Sequence, residues 1–324
     1  MRTSARLRLL DGDAVAQLLT PDEVMSAVRT AFTMHSQGAG RGFSVVRERL
    51  GADRVFGIKS GHIPAQSVLG FKAAGFWPGN RGQGGDPHQA TIMLIDPETG
   101  RPTCLLDGNA ITSMRTGAAG GLGASLFSRT DSERLCVFGT GVQARVQVRF
   151  ALRSRPALRE VRYVSSDGCP RPEFESLFAE ECDISHAPDA DAAVSASDII
   201  ITATPGGGQL FAADSVREGT HLTCVGADTK GKRELPPGLI ERSRVFVDDL
   251  LQASQLGELQ WATPPTPAVE IGSVLDPDFA FQRTGDDITI FDVTGLALQD
   301  LTVSADLYQR AIAADVGTTI PWPW

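Results

Sequence analysis

Residues 135–144, LCVFGTGVQA, constrain the fold of this chain more than any other stretch. An apolar run that reads as a buried strand stops at Gly139-Thr140-Gly141, and Ala144 fills the third small position of a GxGxxA pattern. In such a strand-turn-helix unit the first glycine permits the tight turn and the second lets backbone N–H groups approach a pyrophosphate. The third small residue lets the helix close on the strand. The helix N-terminus adds unpaired N–H groups and the positive end of a dipole. A dinucleotide is the implied ligand. Glycines between a strand and a helix often serve the turn alone, so the flanking sequence has to carry the reading.

It does. Residues 161–165 (VRYVS) read as the next strand, ending where the fingerprint expects the ribose. Further β-branched, apolar runs occupy residues 198–204 (DIIITAT), 221–225 (HLTCV), 244–247 (RVFV) and 287–291 (DITIF). Strands separated by helical or loop segments predict a doubly wound parallel sheet.

The first hundred residues follow another pattern. Thr20-Pro21-Asp22-Glu23 predicts a capping box, followed at helical spacing by Val24, Ala27, Val28, Ala31 and Phe32. Residues 43–46 and 68–73 read as strands, and residues 90–95 and 102–106 flank the turn DPETG as a hairpin. Residues 109–127 are rich in Gly, Ala and Ser, which predicts a closely packed helix bridging two domains. A last helix, residues 295–314, carries Leu298, Leu301, Ala305, Tyr308 and Ile312 and is expected to return to the first domain. The expected fold is α/β: a Rossmann dinucleotide-binding domain over residues 116–295, and an α+β substrate-binding and dimerisation domain from residues 1–115 with 296–324.

A chain of 324 residues is long enough for two such domains. Its 30 basic and 39 acidic residues give a net charge of −9 with no basic block, which argues against nucleic acid. No window is apolar over the roughly 18 residues needed to span a bilayer, and the N-terminus lacks a signal-peptide core. A soluble, cytoplasmic protein is expected. Cys104, Cys136, Cys169, Cys182 and Cys224 form no CxxC pair and read as small core residues. The five histidines show no HxxxH or HxH spacing, so no metal site is expected.

Polar residues at the carboxyl ends of the strands are the candidates for chemistry. Asp228 lies just past HLTCV, where a carboxylate can move protons or merely cap a turn. Lys72 is flanked by apolar residues in LGFKAAGF, and such a lysine usually snorkels to solvent. Arg115, read as opening the small-residue helix, opposes the helix dipole there and invites a carboxylate or phosphate.

Six segments in order, LLDGNAITSMRTGAAGG, VFGTGVQARVQ, DIIITATP, VGADTKGKREL, RVFVDDLLQA and DDITIFDVTGLALQDL, resemble the ornithine cyclodeaminase/mu-crystallin family. The resemblance covers essentially the whole chain and implies a homodimer. It also implies that Arg47, with Arg49 as the alternative, joins Lys72 and Arg115 in gripping a substrate carboxylate, and that Asp228 is the general acid/base. Lys72 is counted with Asp228 as catalytic. Gly139, Gly141, Val142 and Gln143 would hold the pyrophosphate, and Arg115 and Thr116 would also reach the cofactor. Thr204, Val225, Lys232 and Val293 would line the rest of its groove, with Thr294 facing the substrate.

Two departures matter. Where NAD-using members carry Asp after the second Rossmann strand, this chain has Ser165-Ser166-Asp167, which removes a charge that repels a 2′-phosphate and leans the preference to NADP over NAD. Lys59 stands where ornithine-specific members place a glutamate, which disfavours a cationic substrate side chain. The expected activity is an NAD(P)-dependent interconversion of an α-amino acid, possibly cyclic or N-substituted, with its imine. The alternatives are a cyclodeaminase and a non-catalytic ligand-binding protein of crystallin type.

Overall fold

A computed structural model describes residues 5–323. The chain begins with β1 (Ala5–Leu10), α1 (Gly12–Leu18) and α2 (Pro21–Ser36). Five strands follow, β2 (Arg41–Gly42), β3 (Val46–Leu50), β4 (Arg54–Ile63), β5 (Val68–Phe76) and β6 (His88–Ile95), then β7 (Pro102–Asp107) and α3 (Asn109–Phe127). The middle of the chain alternates: β8 (Arg134–Phe138), α4 (Val142–Ser154), β9 (Glu160–Val164), α5 (Pro172–Glu175), β10 (Asp183–His186), α6 (Ala190–Ala196) and β11 (Ile199–Thr202). It continues with β12 (His221–Cys224), β13 (Arg244–Val247), α7 (Leu250–Leu256), β14 (Ala268–Glu270), α8 (Ile271–Val274) and β15 (Thr289–Asp292). The chain ends with α9 (Ala297–Ala313) and β16 (Thr318–Trp322).

These elements form two compact units, Met1–Arg115 with Leu296–Trp324, and Thr116–Gly295. In the first, the sheet order is β16-β1-β7-β6-β5-β4-β2, with β3 also on β4. Only β1 and β7 pair in parallel among the described strands of this sheet. Alternation sorts its two faces. Val68, Gly70 and Lys72 of β5 and Ala90, Ile92 and Leu94 of β6 are buried on the face that meets α9. Phe71 and Met93, one residue out of phase, are partly exposed.

The second unit is a parallel sheet in the order β10-β9-β8-β11-β12-β15-β13-β14. Successive residues of its strands enter opposite cores: Leu135 and Val137 pack with Ala144, Val148 and Tyr163, whereas Cys136 and Phe138 pack with Leu222, Val245 and Ile290. That two-sided burial is why these strands read as continuous apolar runs. The glycines of α3 serve packing, since a Cβ on Gly117 would lie 2.3 Å from Val146 and one on Gly123 would lie 2.4 Å from Phe291.

Several expectations are corrected. Residues 43–46 are not one strand: 43–45 link β2 to β3, and the chain pairs with β4 on either side of them. The Thr20 hydroxyl bonds the Glu23 carboxylate rather than a backbone N–H, so α2 starts at Pro21 without the expected capping box. Cys169 is exposed rather than a core residue, because it sits in the turn after β9. On α9 the buried stripe includes Leu298, Leu301, Leu307 and Ala311, and Ile312 is exposed.

Candidate functional site

In the first unit, β4 and β5 run antiparallel with Lys59 opposite Lys72, and cross-strand partners share a face. Lys72 does not snorkel. It is 4% exposed, and its Nζ lies 2.7 Å from Asp300 Oδ2 and 3.3 Å from Thr112 Oγ1. Arg115 Nε donates to Asp300 Oδ1 at 3.1 Å. Arg115 stands in the second turn of α3, which begins at Asn109, so the first-turn dipole argument does not apply to it. What holds it is the carboxylate on α9.

Burial pulls Lys72 down to about 7, against the raising influence of Asp300. Burial pushes Asp300 up, but Lys72 and Arg115 outweigh it and keep the carboxyl below its usual range. Asp300 went unmarked in the sequence because it is a lone acid in the amphipathic run ALQDL. Its place among Leu298 and Leu301 on the buried side was the available signal. His88, on the same β6 face as Ile92, is a second residue missed. Its Nδ1 lies 3.2 Å from Asn109 Oδ1, and burial, with Lys72 and Arg115 adding to it, lowers its pKa. Arg47 is exposed on β3 opposite Gly57, and Arg49 opposite Val55, so both point to the Lys59 and Lys72 face with Arg47 nearer to those lysines in register.

In the second unit the fingerprint forms the turn from β8 into α4. Gly139 has φ +100°, and a Cβ there would lie 2.8 Å from Ala203 O, so only glycine fits. Gly141 is the N-cap of α4 with no side-chain cap, and nothing lies within 4 Å of where its Cβ would be. Val142 is 55% exposed despite being apolar. Open space over backbone N–H groups at a helix N-terminus is geometry that a pyrophosphate fits, and Gly139, Gly141, Val142 and Gln143, the residues expected to hold one, make up this turn.

Ser165 follows β9 and is buried, its hydroxyl donating to Cys169 O at 2.7 Å and lying 3.2 Å from His186 Nε2. Ser166 is exposed, and Asp167 pairs with Arg171 at 2.6 Å. Thr204 follows β11, and its amide and hydroxyl both donate to Glu234. Asp228 follows β12 in a turn, partly exposed, with Lys232 Nζ 2.7 Å from its Oδ1. Lys232, read from sequence as lining the cofactor groove, is thus the ion-pair partner of Asp228.

Val225 is partly buried and Val293 is 2% exposed. The Thr294 hydroxyl donates to Asp248 at 2.7 Å and accepts from Gln252 at 2.6 Å. Thr116 is buried, and its carbonyl accepts from Gln147 Nε2 at 2.7 Å. No helix among the described residues is long and apolar enough to cross a membrane.

The family model for the ornithine cyclodeaminase/mu-crystallin family matches residues 8–315. Iminosuccinate reductase of Paracoccus denitrificans is 32% identical over 307 residues, covering 92% of this chain and 94% of that protein. An archaeal alanine dehydrogenase dimer with bound NAD superposes with a TM-score of 0.90 at 30% identity, over 97% of this chain and 99% of that one. The Thermococcus litoralis Δ1-pyrroline-2-carboxylate reductase, solved with NADH and L-proline, superposes with a TM-score of 0.88 at 26% identity, covering 97% and 100%.

Proposed function

The chain belongs to the ornithine cyclodeaminase/mu-crystallin family and is an NAD(P)-dependent oxidoreductase of imine and amino-acid CH–NH groups, and on that premise we propose how its residues divide the work. The observation that carries the reading is the buried cluster in which Lys72 and Arg115 share the single carboxylate of Asp300. Two cations against one anion leave a positive balance that suits a substrate carboxylate, with Arg115 able to add a directional hydrogen bond. Arg47 extends that positive face. Asp228 moves a proton at the substrate nitrogen, and the Lys232 ammonium beside it offers a donor for replenishing that proton. The nicotinamide, when bound, supplies or accepts the hydride. Orientation by the clamp and stabilisation of the developing charge carry most of the rate.

Lys59, directly across from Lys72, opposes a distal ammonium on the substrate, which favours a reductase or dehydrogenase over an ornithine-type cyclodeaminase. A storage protein of crystallin type has no use for the Asp228 and Lys232 pair. For the cofactor, Ser165 places no charge against a 2′-phosphate, and NADP is favoured over NAD by that missing repulsion. The Ser165 hydroxyl is already bonded to Cys169 O and the Arg171 guanidinium is engaged by Asp167, so the exposed Ser166 hydroxyl is left as the donor to a 2′-phosphate. The partner is a second copy of this chain, docked on the partly exposed apolar row Phe71, Met93 and Leu105. Nicotinamide absorbance, followed across cyclic imines and across keto acids with amines using both cofactors, tests the reading. Turnover of a carboxylated imine supports it, and cofactor binding without any turnover sinks it.

A further inference from the structure

At the carboxyl ends of the parallel strands lies a buried carboxylate that the reaction as described does not use. Glu234 is fully buried. Its Oε1 accepts from the Thr204 amide at 2.8 Å and from the Thr204 hydroxyl at 2.6 Å, and its Oε2 accepts from the Gly226 amide at 2.9 Å. Thr204 belongs to the turn after β11, whose Ala203 carbonyl lies against Gly139 of the fingerprint. Gly226 opens the turn after β12 that leads to Asp228. The fit is close, because a Cβ on Gly226 would lie 2.4 Å from the Glu234 carboxylate. Glu234 is itself held from behind, since Glu258 accepts from the Glu234 amide at 2.6 Å and from the Leu235 amide at 3.3 Å. A carboxylate taken out of water is costly unless its oxygens are satisfied, and here each oxygen serves a different turn.

We propose that Glu234 is a positioning residue: one carboxylate ties the turn beside the dinucleotide loop to the turn that carries Asp228, fixing their spacing. This rests on the proposed role of Asp228. Glu234→Gln separates the two ties. The Thr204 amide and hydroxyl both donate to Oε1 and the Gly226 amide to Oε2, while the Thr202 hydroxyl that also reaches Glu234 can donate or accept and so favours neither orientation. The amide oxygen therefore takes the Oε1 place, and the amide NH2 then meets the Gly226 N–H, donor against donor. The Asp228 turn is released while the Thr204 turn stays.

Three measurements on the full-length protein test this. In Glu234→Gln, kcat falls about tenfold or more while NADH or NADPH affinity, from fluorescence titration, stays within about threefold. Gly226→Ala, which presses on the same carboxylate from the other side, gives the same split and stands in if the Gln variant does not fold. Amide hydrogen exchange accelerates at Gly226 but not at Thr204 in Glu234→Gln, and this reads the tie without any turnover. A failure of the proposed reaction therefore shows separately, as a wild type that turns over no imino acid. A folded Glu234→Gln with kcat within about twofold of wild type, a parallel loss of cofactor affinity and kcat, or unchanged exchange at Gly226 would each overturn the proposal.

Discussion

Lys72 and Arg115 are held by one carboxylate with almost no solvent to screen them, so each member of the cluster depends on the others. Asp300→Asn leaves two buried cations without their anion, and chemical denaturation should show a loss of about 3–5 kcal/mol, the usual cost of breaking a buried ion pair from one side. A loss too small to measure would mean that water reaches the cluster. The pH dependence follows from Lys72, whose pKa burial lowers to about 7. The cation is present below that value and lost above it, whereas Asp300 stays ionised throughout. The KM for a carboxylated substrate should therefore rise as pH increases through about 7, with kcat changing less. A KM that is flat across this range would remove Lys72 from carboxylate binding. Lys72 and Arg115 were visible in the sequence as a lysine among apolar residues and an arginine in a helix of small ones. Asp300 was not, because it lies 185 positions from Arg115 and only the folded first unit brings them together.

The turn between β8 and α4 is where sequence and function meet most directly. Gly141 has φ −73°, which any residue adopts, and open space where its Cβ would be. Gly141→Val should therefore fold normally yet fill the pyrophosphate position, and calorimetric titration should find no dinucleotide binding. Affinity within about threefold of wild type, too small a change for a blocked site, would refute the assignment. The burial of the neighbouring strands explains which of them were legible in the sequence. Strands β8, β11, β12 and β13 are buried on both faces, so they appear as apolar runs that need no partner to be recognised. The short strands β10 and β14 lie at the sheet edges, with partly exposed side chains and no apolar run, and their sequences give no comparable signal. Residues 43–45 are β-branched or aromatic in part, but there the chain passes between two pairings to β4 and propensity yields to topology. At the end of β9, Ser165→Asp should shift the ratio of kcat/KM toward NADH, because a carboxylate accepts from the ribose diol and repels a 2′-phosphate. An unchanged ratio would move cofactor selection to Arg171 and Asp167.

For the molecule as a whole, the family and the oxidoreductase class stand on agreement along nearly the full chain. The proposed assembly uses the sheet of the first unit, whose one face is buried under α9 while Phe71, Met93 and Leu105 line the other. Phe71→Glu places a charge in that apolar row; if the proposed homodimer forms there, sedimentation should find a dimer for the wild type and a monomer for the variant, and a variant dimer that persists would locate the interface elsewhere. In the proposed function the protein recognises imines by their carboxylate. That recognition is tested most directly by comparing kcat/KM for a cyclic imine carboxylate and for the same imine lacking the carboxylate, in the wild type and in Lys72→Met. The wild type should prefer the carboxylated substrate by about a hundredfold or more, and Lys72→Met should lose most of that preference while leaving the poor substrate unchanged. Equal rates for the two imines in the wild type, or an undiminished preference in Lys72→Met, would contradict the account.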